Sequence, residues 1–320
     1  MKALYFDHFG DNSVLQYGGD LPVPQITADE VLVKMKYIGL NFADIYRRKG
    51  NYHLEPHLPY INGYEGLGTI VKLGGENVTE LKCGERILFV DVPLANAELV
   101  AVPLTHVIKV PPEIDDKLAA AIGLQGLTAD FLAHDLAQSQ PGERAFIQGI
   151  SGGVGQILLQ MLTADGIQVS GVTSTRKKQE LAFKQGASHV YLRTDQWAEQ
   201  LCDTFATVFD GVGSTLKQSL ALAKHKGQVV FFGMAGGNPT KVDPLALLEH
   251  SKSILTGDLW DYLSSRSERQ SRFERLASYF ISQKIVINEP PQCFPLSEGQ
   301  KAYAFLESGS SNGKILMECR

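Results

Sequence analysis

Arg144-Ala145-Phe146-Ile147-Gln148-Gly149-Ile150-Ser151-Gly152-Gly153-Val154-Gly155-Gln156-Ile157-Leu158-Leu159 reads as a strand that tightens into a glycine-rich turn and leaves as a helix. Glycines stand at 149, 152, 153 and 155. Such a turn needs backbone angles or close approaches that a Cβ obstructs. The helix that follows points unpaired N–H groups back at the turn, and its dipole favours an anion there. A dinucleotide pyrophosphate is the usual occupant of such a place. The spacing departs from G-x-G-x-x-G, so the loop by itself also fits a ligand-free strand-to-helix turn.

Downstream of the turn, strands and helices alternate. Strands are expected at 167–172, 189–192, 207–210, 227–233 and 253–257, with helices at about 153–165 and 177–184. That alternation means βαβ units and a parallel sheet covered on both faces. Right-handed crossovers then give a doubly wound α/β fold. Upstream the texture differs. Glu30 to Tyr37 alternates apolar and polar residues, the period of a half-buried strand. Residues 63–71 and 84–90 read as further strands entered through glycine, and the pattern to about residue 112 suggests a β-rich, barrel-like domain. Past Trp260, a charged helix is expected at 266–282 and another at 296–306 with Ser297 as its cap, then a closing strand at 314–317. The doubly wound unit is already complete by then, so this tail is assigned to the first domain. The expected division is residues 1–120 with 261–320, and residues 121–260.

Composition sets outer bounds. A chain of 320 residues suffices for two domains, and 44% hydrophobic content suffices for their cores. The formal net charge of −5 argues against a nucleic-acid groove or an anionic membrane face. No run of about 18 apolar residues spans a bilayer. The N-terminal apolar run stops at Asp7, so no signal peptide is expected. Four scattered cysteines, Cys83, Cys202, Cys293 and Cys319, fit a reducing compartment and hence the cytoplasm.

The choice of nicotinamide cofactor is legible after the second strand. An NAD enzyme places an acid there to accept from the ribose 2′-OH. This chain reads Gly171-Val172-Thr173-Ser174-Thr175-Arg176-Lys177-Lys178, with no carboxylate. Hydroxyls and cations can pair with a 2′-phosphate through charge-assisted bonds. The expected cofactor is NADP(H), with Ser174 and Lys178 as leading contacts. A solvated basic helix start is the competing reading, though cations at a helix N-terminus oppose its dipole. The polar and aromatic loop from Gly39 to Tyr52 suits a small-molecule cleft, or a helix capped by its Asn and Asp. Glu65 reads as a buried structural carboxylate rather than a catalytic one.

Taken in order, these segments resemble the zinc-independent NADPH:quinone oxidoreductases, the zeta-crystallin-like branch of the medium-chain dehydrogenase/reductase superfamily. Gly39 to Tyr52 looks like the family's A-x-G-x-N-x-x-D-x-Y-x-R-x-G-x-Y loop. Leu124-Gln125-Gly126-Leu127-Thr128-Ala129 resembles its L-x-G-L-T-A segment, and Ser151 to Gly155 its nucleotide loop. Asp210-Gly211-Val212-Gly213 and Phe232-Gly233 also fit. The resemblance implies a GroES-like catalytic domain made from both chain ends, with a Rossmann domain between them in sequence. It further implies NADPH as cofactor, a quinone or enone as small-molecule substrate, and a homodimer. Asn41 and Tyr46 would sit beside the nicotinamide, with Tyr52 lining the pocket. Thr128, Gly152, Gly153, Val154, Phe232 and Gly233 would line the cofactor, and Ser174, Lys178 and Arg193 would surround the 2′-phosphate. Arg193 stands where relatives often carry Tyr or His, Gln148 replaces a commoner His, and Ile150 a commoner Ala with a risk of crowding the turn.

The zinc-bearing branch of the superfamily needs a Cys near Asn41 and a His in a G-H-E motif; here the latter reads Gly63-Tyr64-Glu65. Cysteines and histidines lack metal spacing, so no zinc is expected. The expected activity is hydride transfer to quinones or related electron-poor carbonyls. Reduction of the C=C bond of an enone, enal or enoyl thioester is the alternative. A silent NADPH binder and an NAD-linked zinc alcohol dehydrogenase are the rivals from other classes.

Overall fold

A computed structural model of the chain describes residues 1–51, 59–75, 80–137 and 139–319. The chain divides into two compact units, one drawn from Met1–Leu124, Leu263–Ile281 and Ile287–Arg320, the other from Gln125–Tyr262 and Ser282–Val286.

The first unit is organised by the ten-residue strand Glu30–Gly39. One of its edges is shared by two partners in succession. Leu99–Pro103 pairs with residues 30–34, and Ile315–Glu318 pairs with residues 37–39. Glu65–Leu73 covers the other edge and carries Arg86–Val90 and Ile108–Lys109 beyond it. All these pairings are antiparallel; Gln292–Pro295 alone runs parallel to its neighbour Ile315–Glu318. Val33 and Met35 point into the core while Lys34 and Lys36 are exposed, the period of two that the sequence shows. They pack with Ile38, Phe89, Tyr303 and Met317. The C-terminal segment is thus part of the same core as the N-terminal strands. Its helix differs from the sequence reading. Leu296–Glu298 is a 3-10 turn entered through Pro295, and the α-helix is Gly299–Glu307. Ser297 lies inside the turn and caps nothing, because Pro295 holds the chain extended immediately before it.

In the second unit six strands run parallel in the order His189–Leu192, Gln168–Thr173, Arg144–Gln148, Phe205–Asp210, Ala223–Phe231, Ser253–Leu255. This is the doubly wound order, whose switch point lies between the strand Arg144–Gln148 and the strand Phe205–Asp210. Every residue of Phe205–Asp210 is buried, as expected of a central strand covered on both faces. Gln148 is in register with Val172 on one side and Asp210 on the other. The three carboxyl ends therefore open together at the glycine turn. Short helices Leu216–Leu222 and Pro244–His250 are not among those expected from the sequence, although Asp243 caps the second by accepting from the Leu245 N–H and Pro244 opens it. Among the described residues no helix is long and apolar enough to cross a membrane.

The helix Asp116–Phe131 continues as a π-turn, Leu132–Ala137. His134 on that turn is clasped by two carboxylates, with Nδ1 3.0 Å from Asp130 Oδ1 and Nε2 3.1 Å from Asp165 Oδ2. Both contacts can be hydrogen bonds only when the ring is an imidazolium. The Asp130 bond raises its pKa above the ordinary 6.5, against an opposing effect of burial, and Asp165 adds to the rise. A raised folded-state pKa contributes stability that is full below the unfolded value and is lost as pH climbs through the folded one. As pH climbs from the ordinary imidazole value of 6.5 through the raised folded-state one, the wild-type unfolding midpoint should therefore fall relative to that of His134→Gln. Calorimetry at matched ionic strength checks this, and a difference independent of pH would refute it.

Candidate functional site

The nucleotide turn is shaped by its glycines in different ways. Gly149 has φ +73°, the left-handed region where a side chain is strained. The Gly152 N–H donates to the Gly149 carbonyl at 2.9 Å and tightens the turn. A Cβ on Gly155 would lie 2.4 Å from that same carbonyl oxygen, so the first helical turn packs directly on the loop backbone. The helix is Gly153–Ala164, and its first backbone bond runs from the Gln156 N–H to the Gly152 carbonyl. The N–H groups of Gly153, Val154 and Gly155 precede that bond and belong to the helix's unpaired start. Gly152 is exposed and Gly153 and Val154 half-buried, whereas Gly155 is buried. Ile150 is fully buried and does not crowd the turn. It packs where Gly171 has no side chain, since a Cβ there would lie 2.7 Å from the Ile150 Cβ.

The second strand is laced to the turn by the Ser151 and Thr173 hydroxyls, 2.5 Å apart. Ser174 follows, exposed. Thr175 caps the helix Arg176–Lys184 by accepting from the Lys178 N–H at 3.3 Å. Arg193 arrives from the neighbouring strand, its N–H donating to the Thr173 carbonyl at 2.9 Å. Burial lowers the Lys178 pKa, and the Arg193 charge lowers it further. The two cations thus act on one another beside the end of Gln168–Thr173, which carries no acid of its own; Asp195, two residues after Arg193, accepts from the Leu192 N–H at 3.2 Å. A dianion between the cations would relieve their repulsion. The sequence-predicted residues Ser174, Lys178 and Arg193 are brought together, on the side of the turn away from the fourth strand.

On the other side lies the loop after Phe205–Asp210. Asp210 is fully buried and accepts from the Val212 N–H at 2.9 Å, the Gly213 N–H at 3.0 Å, the Thr215 hydroxyl at 2.9 Å and the Ser219 hydroxyl at 2.7 Å. Gln148 joins this network through Gln218 and Ser219. Phe232 lies over Gly211, where a Cβ would come within 2.6 Å of its ring, and its N–H donates to the Asp210 carbonyl. Gly233 follows it, and Thr128 is half-buried on the helix Asp116–Phe131. A cavity of about 610 Å³ opens at these carboxyl ends, with Gly149, Val172, Arg193 and Val212 among its walls. That is the position at which open α/β sheets take ligands.

In the first unit, Asn41 starts the helix Phe42–Arg48, and the Asp44 carboxylate accepts from the Asn41 N–H at 2.9 Å. Tyr46 is half-buried on that helix; Tyr52, with His53 and His57, lies outside the described residues. Asp44 is completely buried and also accepts from the Tyr303 hydroxyl at 3.1 Å. Burial pushes its pKa up to about 6, with the Arg47 charge pulling the other way. The Asn41 side chain is turned to a different task. Its Nδ2 donates to Glu65 Oε2 at 2.8 Å, and its Oδ1 accepts from Lys314 Nζ at 2.8 Å. Glu65 further accepts from Lys314 at 2.5 Å and from the Leu124 N–H at 2.6 Å. Space for this carboxylate comes from two glycines: a Cβ on Gly39 would lie 2.2 Å, and one on Gly123 2.6 Å, from its oxygens.

Sequence reading missed Lys314, Tyr303 and the full role of Asp210. A lysine ahead of a short strand carries no local signal of a buried partner some 250 positions away. Among the described residues no three His, Cys, Asp or Glu side chains are gathered as metal ligands. Tyr64, in the G-Y-E segment, is buried with the Arg47 guanidinium 3.3 Å from its ring centre.

Comparison with known proteins agrees with this architecture. Residues 27–112 match the alcohol dehydrogenase GroES-like domain, and residues 153–276 match the zinc-binding dehydrogenase family. The chain is similar to the probable quinone oxidoreductase of Schizosaccharomyces pombe, 30% identical over 316 residues, 97% of this chain and 94% of that one. It is 29% identical to the 2-haloacrylate reductase of a Burkholderia species over 90% of both chains. The crystal structure of Escherichia coli quinone oxidoreductase complexed with NADPH superposes with a TM-score of 0.93 at 30% identity, covering all of both chains. With both domains matched and a quinone oxidoreductase aligned along nearly its whole length, the chain belongs to the quinone oxidoreductase family of the medium-chain dehydrogenase/reductase superfamily.

Proposed function

We propose that this oxidoreductase passes hydride from NADPH to quinones or related electron-poor carbonyl acceptors, with no zinc ion in the reaction. The observation that carries the cofactor choice is the convergence of Lys178 and Arg193 at an acid-free strand end beside the glycine turn. The turn fits the cofactor: its glycines leave a cradle that side chains would fill, and the helix start faces it. Gly152, Gly153 and Val154 hold the pyrophosphate, and Ser174, Lys178 and Arg193 the 2′-phosphate. Thr128, Phe232 and Gly233 line the remainder. Asn41 and Tyr46 stand beside the nicotinamide, and Tyr52 lines the acceptor pocket. Residues 121–260 then form the NADP-binding domain, and residues 1–120 with 261–320 the catalytic one.

NADPH, when bound, supplies the hydride. The chain's own residues hold the reactants in register and exclude water. Asn41 and Tyr46 either fix the nicotinamide or donate to the oxygen where charge develops, and solvent protonates the product. The 29% identity to a 2-haloacrylate reductase supports a second reading, reduction of an activated C=C bond.

The deciding measurement is initial rates with NADPH and then NADH against 1,4-benzoquinone, an enone, 2-chloroacrylate and an enoyl thioester. NADPH-specific turnover of the quinone is expected. Turnover of the activated alkenes alone selects the second reading. Equal use of NADH, or loss of activity with a zinc chelator, overturns the proposal.

A homodimer is supported by the end of the parallel sheet. Ser253–Leu255 is its edge strand, and the helix Pro244–His250 just before it exposes Leu245 and Leu248 by 66% and 74%. Exposed apolar residues beside a strand edge mark a surface that pairs. Light scattering should give twice the mass of the chain, and Leu248→Glu should shift it toward the monomer; a monomeric wild type would refute the dimer.

A further inference from the structure

Both polar ends of the Asn41 side chain meet charged groups inside the first unit. Oδ1 takes a bond from Lys314 Nζ; Nδ2 gives one to Glu65 Oε2 and reaches the Gly39 carbonyl at 3.4 Å. Asn41, Glu65 and Lys314 are 7%, 0% and 7% exposed, so little water screens these contacts. Turning the amide by half a revolution would set its N–H groups against the ammonium and its oxygen against the carboxylate. Both contacts would then be repulsive. The two charges therefore dictate which end of the amide is which.

A primary amide has two N–H donors and two acceptor lone pairs. In Asn41 both donors are used, on Glu65 and Gly39, and one lone pair is used on Lys314. The Asp44 N–H at the helix start donates to the Asn41 backbone carbonyl at 3.2 Å and not to the side chain, so one lone pair of Oδ1 remains. We propose that Lys314 and Glu65 are positioning residues that lock the Asn41 amide so that its remaining capacity is an acceptor, which binds the carboxamide N–H of the nicotinamide and leaves no donor for the substrate oxygen. This rests on the reading above that Asn41 meets the nicotinamide, and it selects one of the two roles left open there. Gly39 and Gly123 belong to the same device, since a side chain at either would displace the Glu65 carboxylate.

The test is a binding measurement with two probes, NADP⁺ and 3-acetylpyridine adenine dinucleotide phosphate. The second keeps the ring carbonyl but carries a methyl in place of the amide NH₂. Wild type should bind it about tenfold more weakly, the equivalent of about 1.4 kcal/mol. In Asn41→Ala the ratio should fall to near unity. The double variant Glu65→Gln/Lys314→Met removes both charges, frees the amide to turn, and should bring the ratio below about threefold. Lys314→Arg keeps a cationic donor and should keep the wild-type ratio. Equal binding of the two probes by wild type overturns the inference, because a donating Asn41 would hold the carbonyl of either. So does a double variant that weakens both probes alike and leaves the ratio unchanged, the mark of a purely structural pair. If the double variant fails to fold, loss of the ratio in Lys314→Arg overturns it equally. A separate outcome, NADP⁺ binding unaffected by Asn41→Ala, removes Asn41 from the nicotinamide and takes both readings with it.

Discussion

Replacing Lys178 and Arg193 together by alanine should lower kcat/KM for NADPH about a hundredfold while changing that for NADH less than about threefold. Each cation is expected to donate a charge-assisted bond to the 2′-phosphate. Such a bond contributes about 1.5–3 kcal/mol when well formed. Arg193 is exposed and Lys178 half-buried, so screening argues for the lower end, about a decade each. NADH lacks the phosphate and gains nothing from either residue. The lowered Lys178 pKa is consistent with this: burial is its main cause, Arg193 adds to it, and a dianion between the two cations would favour the charged form. Adding Ser174→Asp to the pair supplies the carboxylate that accepts from a ribose 2′-OH, and should turn the preference toward NADH. Steady-state rates with both cofactors check this at one salt concentration. An equal fall for NADPH and NADH would mean that these side chains support the fold and not the phosphate.

Much of this arrangement is legible in the residues because it is local. Gly149, with its positive φ, and Gly155, which touches the Gly149 carbonyl, are required by backbone geometry within seven residues, so their identity shows in the sequence. The absence of an acid after Thr173 is equally local. The alternation of Val33 and Met35 with Lys34 and Lys36 shows a strand with one buried face. What stays hidden is pairing across long chain separations. Lys314 and Glu65 are 249 positions apart, and Tyr303 and Asp44 are 259 apart. Each of those residues, read alone, is an ordinary polar residue beside an apolar run. Ile150 illustrates the point from the other side. Its bulk looked unsuited to the turn, and its accommodation depends on Gly171, which belongs to the next strand. The start of the short helix Leu216–Leu222 is similar: its residues favour a helix, but its placement depends on the Asp210 side chain, which accepts from Thr215 and Ser219.

Glu65→Ala should destabilise the first unit by about 3–5 kcal/mol, more than any substitution proposed above. The reason is the charge left behind. The Lys314 side chain is 3% exposed and the Glu65 side chain 0%. Without the carboxylate the ammonium keeps Asn41 Oδ1 as a neutral acceptor, the Asn41 Nδ2 loses its main partner, and the Leu124 N–H loses a bond of 2.6 Å. Three donors are stranded by one deletion, and one of them is ionic. Glu65→Leu combined with Lys314→Met should cost much less than Glu65→Ala alone, because replacing a buried ion pair by apolar side chains of similar volume removes both desolvation penalties. The measurement is chemical denaturation followed by a probe in the first unit, since two units need not unfold in one step. A single-variant loss below about 1 kcal/mol would place the pair in the class of solvent-screened surface bridges and remove the basis for a fixed Asn41 amide. A double variant as unstable as the single one would instead assign the loss to packing around Gly39 and Gly123, where the carboxylate itself fills the space between two backbones.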